Sequence, residues 1–108
     1  MSLYMTQFAY TAEAWATLVK NPADRSVPVR ALAEKLGGRM ISLYYCFGEY
    51  DGVLIFEAPD DTTATALVLA ATSPGHLKTI KTTVLLTVEQ TMKAMRQAGG
   101  VTYQAPTA

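Results

Sequence analysis

Glu49, Tyr50 and Asp51 follow one another within GEYDGVLIFEAPDD, residues Gly48 to Asp61, and they are the densest set of proton-handling side chains in the chain. A tyrosine hydroxyl can donate a proton and an adjacent carboxylate can accept one, so Tyr50 and Asp51 are the first candidates for acid–base work, with Glu49 as a partner. His76, the only histidine, is the third candidate, because imidazole alone has an unperturbed pKa near neutrality. Each has a structural reading beside it. Gly48 and Gly52 bracket the acidic pair, and carboxylates in a turn accept backbone N–H groups, so the motif suits a hairpin at least as well as a catalyst. His76 follows Pro74-Gly75 and belongs to a loop. Cys46 sits in an apolar run, where a thiol behaves as a small hydrophobe. Glu57 reads as a strand end.

Aromatic residues offer a second kind of chemistry. Tyr4, Tyr10, Trp15, Tyr44, Tyr45 and Phe56 are spread over several segments and could line a pocket for a flat, apolar molecule. Filling a core or an interface is the competing use of the same side chains. Lys78 and Lys81 could meet an anion, but such residues are mostly surface charges.

Composition narrows the field. The chain has 108 residues, half of them hydrophobic, which suffices for one domain with its own core. Nine basic and nine acidic side chains cancel, leaving no surplus to attract nucleic acid or anionic lipid. One cysteine cannot form an internal disulfide. With one histidine and one cysteine far apart, no metal-ligand spacing exists, and neither a metal nor a cofactor is expected. The opening residues, MSLYMTQFAY, carry neither a charged leader nor a long apolar stretch, which points to the cytoplasm rather than a membrane.

The elements that must position these groups follow from periodicity and breakers. Leu3 to Tyr10 reads as a strand. Thr11 caps a helix carrying Ala12, Trp15, Ala16 and Val19, interrupted at Asn21-Pro22 and resumed from about Val27 to Leu36, giving one broken helix that ends at Gly37-Gly38. RMISLYYCF and GVLIFE form a hairpin around the acidic turn. Pro59 closes it, Asp60 or Asp61 caps the next helix, and Ser73-Pro74-Gly75 ends that helix. HLKTIKTTVLLT reads as the fourth strand. Thr87 and Gln90 have capping-box spacing ahead of Val88, Met92 and Met95. Residues 1–100 thus form one domain, and 101–108 a flexible tail. The order is ferredoxin-like βαββαβ, an α+β fold with an antiparallel four-stranded sheet and both helices on one face. Strict alternation in the second strand puts Met40, Ser42, Tyr44 and Cys46 on one side and Ile41, Leu43, Tyr45 and Phe47 on the other. Neither side is polar enough for water, so a second copy is expected to cover the open sheet face.

KLGGRMISLYYCFGEYDGVLIFEAPDD, residues 35 to 61, resembles the core of the GYD-domain family, whose Gly-x-Tyr-Asp turn is Gly48-Glu49-Tyr50-Asp51 here. The fainter likeness runs from Leu3 to Leu86. The resemblance implies a dimeric α/β-barrel of ferredoxin-like subunits and little about chemistry, since relatives of that fold include monooxygenases, isomerases and proteins without established activity. It assigns His76 no role, because Asn is common at that place.

Two functions remain in view. One is a small cytoplasmic homodimer that binds a small apolar or aromatic ligand through Tyr4, Trp15, Tyr44, Tyr45 and Phe56. The other is a cofactor-free monooxygenase- or isomerase-type enzyme using Tyr50, Asp51 and His76. A third, an assembly partner, would show a second exposed apolar patch. Whether the protein is an enzyme is open at this stage.

Overall fold

A computed structural model describes residues 1–106; the last two residues of the expected tail lie outside the described residues. Eight elements follow in order: β1 (Ser2–Tyr10), α1 (Ala12–Lys20), α2 (Ser26–Lys35), β2 (Arg39–Tyr45), β3 (Gly52–Ala58), α3 (Asp61–Thr72), β4 (Leu77–Leu85) and α4 (Val88–Gly99). The strands form one antiparallel sheet in the order β2-β3-β1-β4, the arrangement expected of the ferredoxin-like fold.

β1 and β3 are the central strands, and their burial alternates along β3 and along β1 as far as Phe8, where Ala9 is buried as well. Tyr4, Thr6 and Phe8 of β1 and Leu54, Phe56 and Ala58 of β3 point to one face and are buried. Ala33 of α2 and Ala64 and Leu67 of α3 close over them. Tyr4 and Phe56 are fully buried and stack with ring centroids 5.3 Å apart, which adds about 1 kcal/mol to the burial of their area. The Tyr4 hydroxyl donates to Asp61 Oδ1 at 2.6 Å, tying the first turn of α3 to the sheet.

The expectation of strict alternation in β2 fails at one residue. Met40 pairs with Phe56, but Ser42 pairs with the next residue of β3, Ile55, so Ile41 is a bulge. Met40 and Leu43 therefore share the core face, and Ser42 and Tyr44 the outer one. One extra residue reverses the side to which each following side chain points. A second irregularity, in the β1/β4 ladder, pairs Ala9 with Thr79 but Tyr10 with Leu77.

The helices are set by their ends. Thr11 caps α1 through Ala14 N, and the expected single broken helix is instead two helices, because the chain leaves α1 at Asn21-Pro22 and restarts beyond Asp24, which accepts from Ser26 N. α2 ends in a Schellman turn: Gly37 has φ 80°, its N–H reaches Glu34 O, and Gly38 N reaches Ala33 O. A Cβ on Gly38 would collide with Glu57 O, so this glycine lets the helix end lie directly on β3. Asp60, rather than Asp61, caps α3 by accepting from Thr63 N. Thr87 and Gln90 form the anticipated capping box on α4.

α4 buries none of its residues. The protein measures 58 × 37 × 21 Å with a radius of gyration of 17.7 Å. A compact chain of this length would have a radius of about 13 Å, so the C-terminal helix stands away from the body. Val88, Met92 and Met95, at i, i+4 and i+7, form an exposed apolar stripe along it.

Candidate functional site

Asp51 is built into the end of the sheet. Its backbone N–H donates to Phe8 O at 2.8 Å, and its own carbonyl accepts from Cys46 N at 2.8 Å. Its carboxylate Oδ2 accepts from Tyr10 N at 2.9 Å and from the Trp15 indole N–H at 3.0 Å. The hairpin turn, the end of β1 and helix α1 thus meet on one oxygen. The approach is close because residue 52 is glycine: a Cβ there would run into the ring of Phe8. Tyr50 contributes its carbonyl, which accepts from the Cys46 thiol at 3.2 Å.

Around this joint lies an aromatic cluster. Tyr10 meets Trp15 edge-on at 5.0 Å between ring centroids, and its hydroxyl lies 3.2 Å from that of Tyr45. Tyr45 completes the group at 6.1 Å from Trp15. Burial, followed by the Tyr45 hydroxyl, pushes the Tyr10 pKa well above its ordinary value, with Arg25 opposing the shift. The Tyr4 pKa is also raised, first by its bond to Asp61 and then by burial. Both phenols stay protonated at neutral pH.

Beside the cluster, a cavity of about 210 Å³ opens between the core face of the sheet and helices α2 and α3. Its walls are apolar, formed by side chains such as Phe8, Leu32, Leu54, Leu67 and Ile80. Four lining residues carry polar side chains: Thr6, Tyr10, Arg25 and His76. The Thr6 hydroxyl is engaged with that of Thr82 at 2.9 Å, and the Tyr10 hydroxyl, 3.2 Å from that of Tyr45, still lines the cavity with Arg25 and His76. A second, more open depression is bordered by Tyr4, Asp61, Thr82 and Val84.

The expected site residues therefore separate. His76 borders the cavity, with its backbone carbonyl held by Thr11 N at 2.9 Å. Asp51 lies next door in the aromatic joint, and Tyr50 in the turn; neither is a wall residue of the cavity. Trp15 and Tyr45 belong to the joint, Tyr4 and Phe56 to the core stack, and Tyr44 stands 69% exposed on the outer sheet face. Sequence reading missed Arg25, Leu32 and Leu67. The aliphatic pair was legible as helix stripes, whereas Arg25, a lone cation before a helix, carried no signal until the fold placed it over a cavity. Among the described residues, no group of three or more His, Cys, Asp or Glu is gathered as a metal site. No described helix is long and apolar enough to cross a membrane.

This architecture, with α2 and α3 packed on one face of a β2-β3-β1-β4 sheet, defines an α+β protein of ferredoxin-like type. Two solved structures share the fold: an FFRP protein at TM-score 0.50 and 13% identity, covering 80% of this chain and all of the other, and MtbAldR at TM-score 0.56 and 14% identity, covering 80% of this chain and 52% of the other. The GYD domain matches residues 4–95, and the chain belongs to the GYD-domain family. It is also similar to the glutamine synthetase and cystathionine beta-lyase binding protein of Thermus thermophilus, at 31% identity over 80 residues, or 74% of this chain and 84% of the relative.

Proposed function

We propose that the protein is a homodimeric binding module whose cavity takes a small, largely apolar or aromatic ligand. The observation that carries this reading is the apolar cavity between the sheet and helices α2 and α3. At 210 Å³ it suits a single ring with a short arm, and burial of such a guest at ~25 cal/mol per Å² of apolar area supplies the driving force. Asp51 has a different task, since its Oδ2 already accepts two structural donors.

The dimer is supported by the opposite face of the sheet. There, β1 and β3 present Leu3, Met5, Val53 and Ile55, all half-buried in one subunit, and β4 adds Leu85. A sheet face of this composition is suited to pack against its own copy about a two-fold axis. Sedimentation at low micromolar concentration tests it: the wild type runs as a dimer and Ile55→Lys as a folded monomer, while a monomeric wild type refutes the pairing. Cys46, a free thiol, is compatible with a cytoplasmic setting.

A second reading, docking onto another protein, is favoured by one feature. The exposed Val88, Met92 and Met95 stripe of α4 resembles an amphipathic helix awaiting a groove, and flexible methionines suit such seams. The relative's name, a binding protein for two enzymes, is in keeping with that. Replacing Met92 and Met95 together by Lys would abolish co-purification with a protein partner and leave the cavity's ligand affinity unchanged.

A further inference from the structure

The polar groups left at the cavity share one property. Arg25 carries a permanent positive charge, Tyr10 is held in its protonated form, and His76 has a ring N–H to give. No Asp or Glu lines the cavity. Among the described residues, the one ion pair within 4 Å joins Arg39 to Glu57, far from this place in the fold, so Arg25 has no carboxylate partner there. Arg25 and Tyr10 both line this cavity, so the cation and the phenol border the same hollow. An apolar hollow with donors and a cation at its rim, and with no acid, is complementary to a molecule having an apolar body and an anionic end.

We propose that the cavity binds small apolar carboxylic acids, the hydrocarbon body lying between Phe8, Leu32, Leu54 and Leu67, and the carboxylate meeting Arg25 with support from Tyr10 and His76. The planar fork of a guanidinium matches the two oxygens of a carboxylate and forms paired, charge-assisted hydrogen bonds with it. A neutral guest of the same shape fills the cavity but leaves the cation with water alone.

This assignment rests on the ligand-binding reading above, and the test separates the two. Calorimetric titration is made with 3-phenylpropionate and with the neutral 3-phenylpropan-1-ol, on the wild type and on Arg25→Gln. Arg25 is exposed, so the variant is expected to keep the wild-type melting temperature. The wild type should bind the acid at least tenfold more tightly than the alcohol. Arg25→Gln should erase that preference, leaving the alcohol's affinity within about twofold of the wild type. Equal binding of acid and alcohol by the wild type overturns the carboxylate assignment and leaves the apolar cavity reading standing. Weakening of both probes by the same factor in Arg25→Gln also overturns it, since the residue would then shape the cavity rather than read charge. Saturation by neither probe into the millimolar range overturns both readings.

Discussion

Asp51→Ala provides the sharpest perturbation of the joint between hairpin, β1 and α1. The substitution removes the single oxygen that accepts from Tyr10 N at 2.9 Å and Trp15 Nε1 at 3.0 Å. A donor left unsatisfied in the interior costs about 1–3 kcal/mol, and here both residues are only half-buried, so water recovers part of the loss. The lower end of that range for each donor gives a destabilisation of about 2 kcal/mol. That corresponds to a fall in melting temperature of roughly 10 °C for a domain of this size. Asp51→Asn keeps a carbonyl oxygen that can face both donors and should cost about 1 kcal/mol or less. Trp15→Phe removes one donor, and its double-mutant cycle with Asp51→Ala should return a coupling of about 1 kcal/mol. Urea unfolding followed by far-ultraviolet circular dichroism, at one fixed protein concentration, measures all four variants without relying on the Trp15 signal. If Asp51→Ala lies within about 0.5 kcal/mol of the wild type, the range of ordinary surface substitutions, the carboxylate is not an anchor and the reasoning fails.

Other consequences follow from the same structure. Gly38→Ala places a Cβ against Glu57 O and should cost about 3 kcal/mol in thermal unfolding, since the obstacle is backbone rather than a flexible side chain. Thr87→Ala breaks the capping box and should raise amide exchange throughout α4 while moving the global melting temperature by less than about 2 °C, because the helix buries nothing. At high pH, absorbance at 295 nm should show Tyr4 and Tyr10 ionising above the ordinary range of a tyrosine. Their folded pKa values lie above the ordinary value of 10.0, so the stability they contribute is fully present below about pH 10 and is lost as pH rises beyond it. Tyr10→Phe should flatten that alkaline decline in stability.

The architecture was legible because local signals agreed. Strand alternation in Leu3 to Tyr10, the Gly37-Gly38 stop, the Pro59 break and the Thr87–Gln90 spacing each pointed to the element that formed. The bulge at Ile41 was not legible, since it is a slip in pairing with β3 that leaves no mark in the composition of β2. The two roles of the acidic turn could not be separated either. Gly48-Glu49-Tyr50-Asp51 predicted a turn and a carboxylate that accepts backbone donors, but its actual partners, Tyr10 and Trp15, lie about forty positions away and become neighbours only when β1 pairs with β3. The cavity is a product of packing, where α2 and α3 cross the sheet, and its cation came from a loop residue that no periodicity would select. Aromatic type alone grouped Tyr4, Phe56, Tyr44, Trp15 and Tyr45, and the fold distributes them among a core stack, an outer face and a joint.

The cavity as a ligand site is tested most directly by methyl-resolved NMR of the protein titrated with 3-phenylpropan-1-ol, a probe that depends on the apolar walls alone. The account predicts saturable shifts concentrated on Leu32, Leu54, Leu67 and Ile80, with Leu3 and Ile55 on the outer sheet face unmoved. Shifts centred on the outer face, or none at all at saturating probe, would contradict it.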